Sequence, residues 1–182
     1  MRDLGRLAIA ASFVGIFATP LAAQRGVAPA PLIYDKYVMV ISPIPIRATA
    51  MPGAEVIGQA LEGDVYELCR ELPSDYLICL FGDDRFIRKS AARVVPFVKP
   101  VLTEDVKRRA FLRFAQAEDR SFREADARIP LTEVRRNMAL QTLINDRFKL
   151  EIVHQLKIPP AMYDDILAEG VTKHWPAPSK SR

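Results

Sequence analysis

The sequence predicts an α+β fold: a small antiparallel β-barrel over residues 37–98, followed by a helical module of about three helices over residues 103–172. Between Tyr37 and Val98, short apolar runs are separated by turn residues, and within them apolar and polar positions alternate. Beyond Pro96 and Pro100 the apolar spacing changes to three and four residues, the period of a helix packed on one side. The composition supports a packed interior, with 182 residues, 49% hydrophobic and 26% charged, and a mean hydropathy of +0.03. It excludes a disordered tail and a multispanning membrane protein. With 2 Cys, neither a disulfide-dense scaffold nor a four-cysteine metal site can be assembled. The 26 basic residues are nearly balanced by 22 acidic ones, giving a net charge of +4, which does not describe a nucleic-acid-binding polycation.

The first element is a leader over residues 1–23. Arg2 and Arg6 precede an uncharged run, Leu7 to Gln24, whose apolar centre spans Leu7 to Phe17 and which closes with Pro20 and the small pair Ala22-Ala23. A basic flank, a short apolar centre and small residues are the parts of a secretory signal peptide, with cleavage expected after Ala23. A retained anchor is the alternative, because the run sits at the lower edge, roughly 18 residues, of what spans a bilayer. Pro20 and the alanine pair favour cleavage. No cysteine precedes Cys69, so the thiol for an N-terminal lipid is absent. The expected location is the periplasm or the exterior, with no membrane span left after cleavage. Residues 24–36, with Pro29, Pro31, Ala28 and Ala30, read as a Pro/Ala-rich spacer.

Strand-like segments follow at Tyr37–Ile41, Pro43–Arg47, Val56–Leu61, Asp64–Cys69, Asp75–Phe81 and Arg85–Lys89. Pro52-Gly53, Gly58, Gly63, Pro73 and Gly82-Asp83 are read as the breaks between them. A small closed barrel is the simplest arrangement for about five such strands.

The stretch Ile44 to Leu68 resembles the opening of a bacterial SH3-like domain. Ile44, Ile46 and Arg47 match its apolar-x-apolar-Arg segment, Val56-Ile57-Gly58 its second element, and Leu61 with Gly63 its third. The likeness continues through Tyr76, where that family often has Trp, and through Gly82 with Phe86, where it usually has Gly-Trp; Arg85 stands in place of the usual Gly. The resemblance implies a module that binds a wall peptide or a protein. Its ligand contacts would come from Arg47, Tyr66, Tyr76 and Phe86, since aromatic rings give large contact area at small entropic cost. The competing reading for these rings, and for Phe81, is core filling, because a barrel this small needs most of its large side chains inside. For Arg47 it is a partly exposed strand residue with its stem lying along the sheet.

Cys69 and Cys79 stand symmetrically about Ser74, so a hairpin turning through Leu72 to Asp75 places them nearly opposite one another. In an oxidising compartment a disulfide closing a loop of about ten residues stabilises by roughly 2 to 3 kcal/mol. Two buried free thiols are the alternative.

In the helical module, Thr103 is the expected N-cap, with Glu104 and Asp105 in the first turn and Val106, Ala110, Phe114 and Ala117 on one face, the helix running to Ala127. Pro130 breaks it and Thr132 can cap the next. Leu140, Ile144, Phe148, Ile152 and Leu156, with Met138, Leu143 and Val153, form the apolar side of a second long helix. Pro159-Pro160 ends that helix. A short third helix, with Met162, Ile166 and Leu167 inward, is expected to stop at Gly170 as a left-handed cap, before a tail over 173–182. Glu151 to Gly170 resembles a bacterial helix-turn-helix through Ile152, Leu156, Ile158, Pro160, Ile166 and Leu167, with Lys157 where that motif often has a turn glycine. A recognition helix needs positive charge and donors. Ile158 to Thr172 carries no Lys or Arg but holds Asp164, Asp165 and Glu169, so nucleic acid is not the expected partner.

The basic groups from Lys107 to Arg136 are interleaved with acidic ones and read as a solvated helix surface. His154 and His174 have no nucleophile in a recognisable turn, and no phosphate-cradling glycine loop exists. Cys69, Cys79, His154 and His174 match no zinc-ligand spacing. No catalytic residue, cofactor or metal is therefore expected. The expected function is that of an exported, non-enzymatic binding or adaptor protein for a cell-envelope peptide, wall component or protein partner, with self-association of the helices through apolar surface around Phe111, Leu112 and Phe122. The alternative is a membrane-tethered regulator that applies the helix-turn-helix-like hairpin to DNA.

Overall fold

The structure is a computed structural model that describes residues 36–129 and 131–175. The leader with its cleavage point, the spacer up to Asp35, Pro130 and residues 176–182 of the tail lie outside the described residues.

Seven strands come first: β1 (Tyr37–Val40), β2 (Ile44–Arg47), β3 (Val56–Ala60), β4 (Val65–Glu71), β5 (Asp75–Leu80), β6 (Asp83–Arg88) and β7 (Ala92–Val95). The helices α1 (Glu104–Arg128), α2 (Val134–Leu156) and α3 (Tyr163–Thr172) follow. All strand pairs are antiparallel, in one sheet ordered β3-β2-β6-β5-β4-β1-β7. The α+β class holds, but the expected barrel does not close: β3 and β7 are the sheet's two edges and do not pair with one another. α2 packs on the face of the sheet over β3, bringing Leu150 so close to Gly58 that an added Cβ would stand 2.7 Å from its Cδ2. Gly58 therefore lies within β3, opposite Ile46, and is a close-approach glycine rather than a break. β7 lies outside the strand-like segments read from the sequence.

The β5–β6 hairpin turns on Phe81 and Gly82 alone, both with positive φ, at 56° and 93°. That is the two-residue turn whose twist matches paired strands, and Gly82 takes its second left-handed position without a Cβ penalty. Phe81 accepts the strained position because its ring is buried edge-on against Tyr163, with centroids 4.8 Å apart.

α1 is capped as expected, the Thr103 hydroxyl oxygen accepting from the Val106 amide, with Ala110, Phe114 and Ala117 buried. At the start of α2 the cap is Glu133 rather than Thr132, and it supplies no side-chain bond. Met138, expected on the apolar side, is 60% exposed. Gly170 does not cap α3, which continues to Thr172; it is buried inside the helix, where an added Cβ would stand 2.3 Å from the Phe111 ring. The left-handed residues are instead Lys157 (φ 54°), the C-cap of α2, and His174 (φ 53°).

One hydrophobic core runs through both parts. Val38, Ile46, Tyr66, Leu68, Ile78 and Ile87 of the sheet belong to the same buried cluster as Phe114, Ile144, Phe148, Val153 and Ile166 of the helices. α2 is buried along two stripes. Ile144, Phe148 and Ile152 include the residues that meet α1, while Asp146, Lys149, Leu150 and Val153 include those that reach the sheet.

Candidate functional site

The ligand-contact candidates are divided between the two faces of the sheet. Residues opposite one another in a ladder share a face, and Arg47, Phe86 and Leu77 stand opposite one another across β2, β6 and β5. Tyr76, next to Leu77, points the other way, into the shared core, as does Tyr66 opposite Val38. Tyr66 is 0% exposed and donates its hydroxyl to Asp64 at 2.9 Å, so it is a core residue with no ring to offer a ligand. Burial, and then the Asp64 charge, raise its phenol well above the ordinary range. Tyr76 is also buried, with Lys89 Nζ 5.0 Å from its ring centre. Arg47 is ion-paired to the buried Asp75, which Ser74 Oγ (3.0 Å) and Arg88 (3.5 Å) also approach. Phe86 is half-buried on the outer face, so the four residues do not form one surface.

A recess of about 290 Å³ lies where the β3–β4 turn meets the end of α2. Leu61, Glu62, Gly63 and Asp64 form one wall; Val153, His154, Lys157, Ile158 and Pro159 form the other. Asp64 organises it. One of its carboxylate oxygens accepts from the Leu61 amide (2.8 Å) and the Tyr66 hydroxyl (2.9 Å), and meets His154 Nε2 at 2.8 Å. The imidazole is thereby fixed from the sheet side while its backbone belongs to α2. The left-handed Lys157 turns the chain so that Ile158 and Pro159 complete the wall. The recess joins apolar walls (Leu61, Val153, Ile158, Pro159) to groups of both charges (Glu62, Lys157).

Further along the seam, Arg85 of β6 donates from Nε to Asp146 of α2 at 2.8 Å and from Nη1 to the Asp84 carbonyl at 2.8 Å, with Asp83 3.7 Å away. Asp146 is 1% exposed. Burial pushes its carboxyl up to about 6, with Asp83 adding to the rise and Arg85 opposing it. Lys149, one helical turn on, lies 4.7 Å from the Tyr163 ring centre and 5.9 Å from that of Phe81, and burial lowers its ammonium below the ordinary range.

No protein-family model, curated protein or solved structure matches this chain. Its site is therefore read from its own geometry. The sequence reading passed over Asp64, Arg85 and Asp146 because their partners stand 90 residues away for Asp64 and 61 for the Arg85–Asp146 pair. One signal was available: Arg85 shares the inward phase of Ile87, where a charge has to be paired.

Cys69 and Cys79 form a disulfide, with Cα atoms 5.6 Å apart. The hairpin is not symmetric about it. Glu67 and Leu68 pair with Cys79 and Ile78, but Arg70 pairs with Leu77, so Cys69 is the extra residue of a β-bulge and reaches Cys79 diagonally. His174 Nδ1 lies 3.0 Å from the Thr172 carbonyl. In the helix-turn-helix-like segment, Tyr163 and Ile166 are buried, and two of its acidic side chains are engaged within the molecule, Asp165 by Lys99 (2.7 Å) and Glu169 by Lys107 (2.6 Å). Of the surface proposed for self-association, Phe122 is 45% exposed, whereas Phe111 is packed against Gly170 and Trp175. Among the described residues no helix is long and apolar enough to cross a membrane.

Proposed function

We propose that the chain is an exported, disulfide-braced binding protein that holds a cell-envelope peptide, of the kind found in the bacterial wall, in the recess between an SH3-like sheet and its helical partner. The observation that carries this reading is the recess itself, a concave site where Asp64 fixes His154, with Glu62 and Lys157 offering both charges to a ligand bearing amines and carboxylates. The Cys69–Cys79 bridge supports export, because such bonds persist in oxidising compartments. The seam site replaces the Arg47–Phe86 row as the ligand surface, since Arg47 is occupied by Asp75.

Two measurements test it. A reporter enzyme active only outside the cytoplasm, fused at residue 182, is expected to be active, and the recovered chain to begin near Gln24. The mature chain is expected to co-sediment with purified peptidoglycan, Leu61→Asp and Lys157→Glu weakening this by roughly tenfold or more, as loss of an anchoring contact does. Val98→Ala, at a site 90% exposed and away from the recess, should leave it unchanged. A silent reporter, wall binding indifferent to both recess variants, or binding of duplex DNA in place of wall material would overturn the proposal.

A further inference from the structure

The sheet carries a second constellation on the face away from the core, at the bulge in β4. Glu67, Cys79 and Asp84 stand opposite one another across β4, β5 and β6, and the bulged Cys69 is brought in beside them. Both Sγ atoms and a carboxylate oxygen of Asp84 lie within 4.8 Å of one another, the one group of three or more such side chains so assembled among the described residues. Around a tetrahedral zinc with ligands at about 2.1–2.3 Å, neighbouring ligand atoms are about 3.5–3.8 Å apart. The disulfide holds the two sulfurs closer together than that, so they reach this spacing only by moving apart on reduction, with the Asp84 carboxylate within reach of both. Asp84 is exposed and can rotate to close the difference.

Cys69 is the extra residue of the bulge in β4, and its sulfur is bonded to Cys79 beside the carboxylate of the next strand.

We infer that Cys69, Cys79 and Asp84 form a redox-gated site for a borderline-soft divalent metal of the zinc class. While the sulfurs are bonded to one another the site has a single ligand and is closed. An external dithiol opens it: its two thiol hydrogens pass to Cys69 and Cys79 as the S–S bond breaks, and the dithiol becomes a disulfide. The metal then displaces the two thiol protons, forming two metal–sulfur bonds and one metal–oxygen bond to Asp84, with the fourth position open to water. Two sulfurs and one oxygen select zinc over magnesium or calcium, which take oxygen alone. This inference does not rest on the peptide-binding reading.

The test uses the full chain, oxidised or reduced by a phosphine that is then removed, titrated with Zn2+ or with Co2+ as its spectroscopic stand-in. The reduced chain is expected to bind one equivalent, with thiolate-to-cobalt charge-transfer absorbance, and the oxidised chain to show no such band. Cys69→Ser and Cys79→Ser should each abolish the band, and Asp84→Asn should weaken zinc binding by roughly tenfold or more while leaving the sulfur band. Where circular dichroism finds the reduced chain unfolded, one equivalent of Zn2+ is expected to restore the folded spectrum. Absence of the band in a folded reduced chain, failure of Zn2+ to refold an unfolded one, or unchanged affinity in Asp84→Asn would overturn the inference.

Discussion

Two side chains carry sharp consequences out of proportion to their size. Asp146, buried against Arg85, has its carboxyl raised from 3.8 to about 6, chiefly by burial. A group that holds its proton more tightly when folded adds stability that is complete below its unfolded value and is lost as the pH rises through its folded value. Asp146→Asn has no such proton to lose. The stability of that variant relative to the native chain should therefore increase between pH 4 and pH 6.5, by on the order of 2–3 kcal/mol. Urea unfolding at a series of pH values reads this directly, and a flat difference would mean that Arg85 keeps the carboxylate ionised throughout. Gly170 gives the second. In an open helix interior Gly→Ala gains about 1 kcal/mol. Here the new methyl would meet the Phe111 ring at 2.3 Å, so Gly170→Ala should lose about 1–3 kcal/mol, and the loss should vanish in a Phe111→Ala background. The sequence showed Gly170 at the end of an apolar period, where a cap is the natural reading; the aromatic ring that needs the space comes from α1 and leaves no mark near position 170.

Elements were legible wherever one period governed them. α1 runs from the predicted cap to within one residue of its predicted end, because a single face is buried and the Thr103 signal is local. α2 was harder to read inwardly, since it is wedged between α1 and the sheet and has two buried stripes: the four-residue spacing of Ile144, Phe148 and Ile152 traced one, and of the other only Val153 was read as apolar. The second holds Asp146 and Lys149, which look like solvent-facing charges until Arg85 and Tyr163 are placed against them. Nor could the spacing of Cys69 and Cys79 about Ser74 disclose a bulge, which moves one residue without altering the sequence distance between them. The end of α2 supports a prediction at this scale. Lys157 holds φ at 54° to turn the chain into Ile158 and Pro159, a conformation in which glycine carries no Cβ penalty. Lys157→Gly should therefore stabilise the chain by about 0.5–1 kcal/mol, a rise of roughly 2–3 °C in melting temperature by calorimetry. An unchanged or lower melting temperature would mean that the lysine stem contributes packing that offsets its backbone strain.

At the scale of the molecule, the change of period near residue 100 separates strands from helices but does not separate two cores. The helix side of the sheet contributes Tyr66, Ile78 and Ile87 to the cluster that includes Phe114, Phe148 and Val153, and the seam is crossed by Arg85–Asp146, Asp64–His154 and the Phe81–Tyr163 ring pair. Cutting along that seam would return Arg85 and Asp64 to water without their helical partners and expose Tyr66, Ile78 and Ile87, and each large apolar side chain so exposed forfeits about 1.5–3 kcal/mol. Together these losses approach the whole stability of an ordinary domain, about 5–15 kcal/mol. The Cys69–Cys79 bridge, contributing roughly 2–3 kcal/mol within the sheet, is too small to compensate. A fragment of residues 36–98 should accordingly lack fixed tertiary structure even when oxidised, showing strong binding of a hydrophobic dye and no cooperative unfolding transition. The chain from residue 24 to 182 should unfold in a single transition, with sheet and helix signals coincident. Were the isolated sheet to unfold cooperatively at a similar urea midpoint, the helices would be an accessory to an independent module, and the recess between them could be tuned without touching the stability of either part.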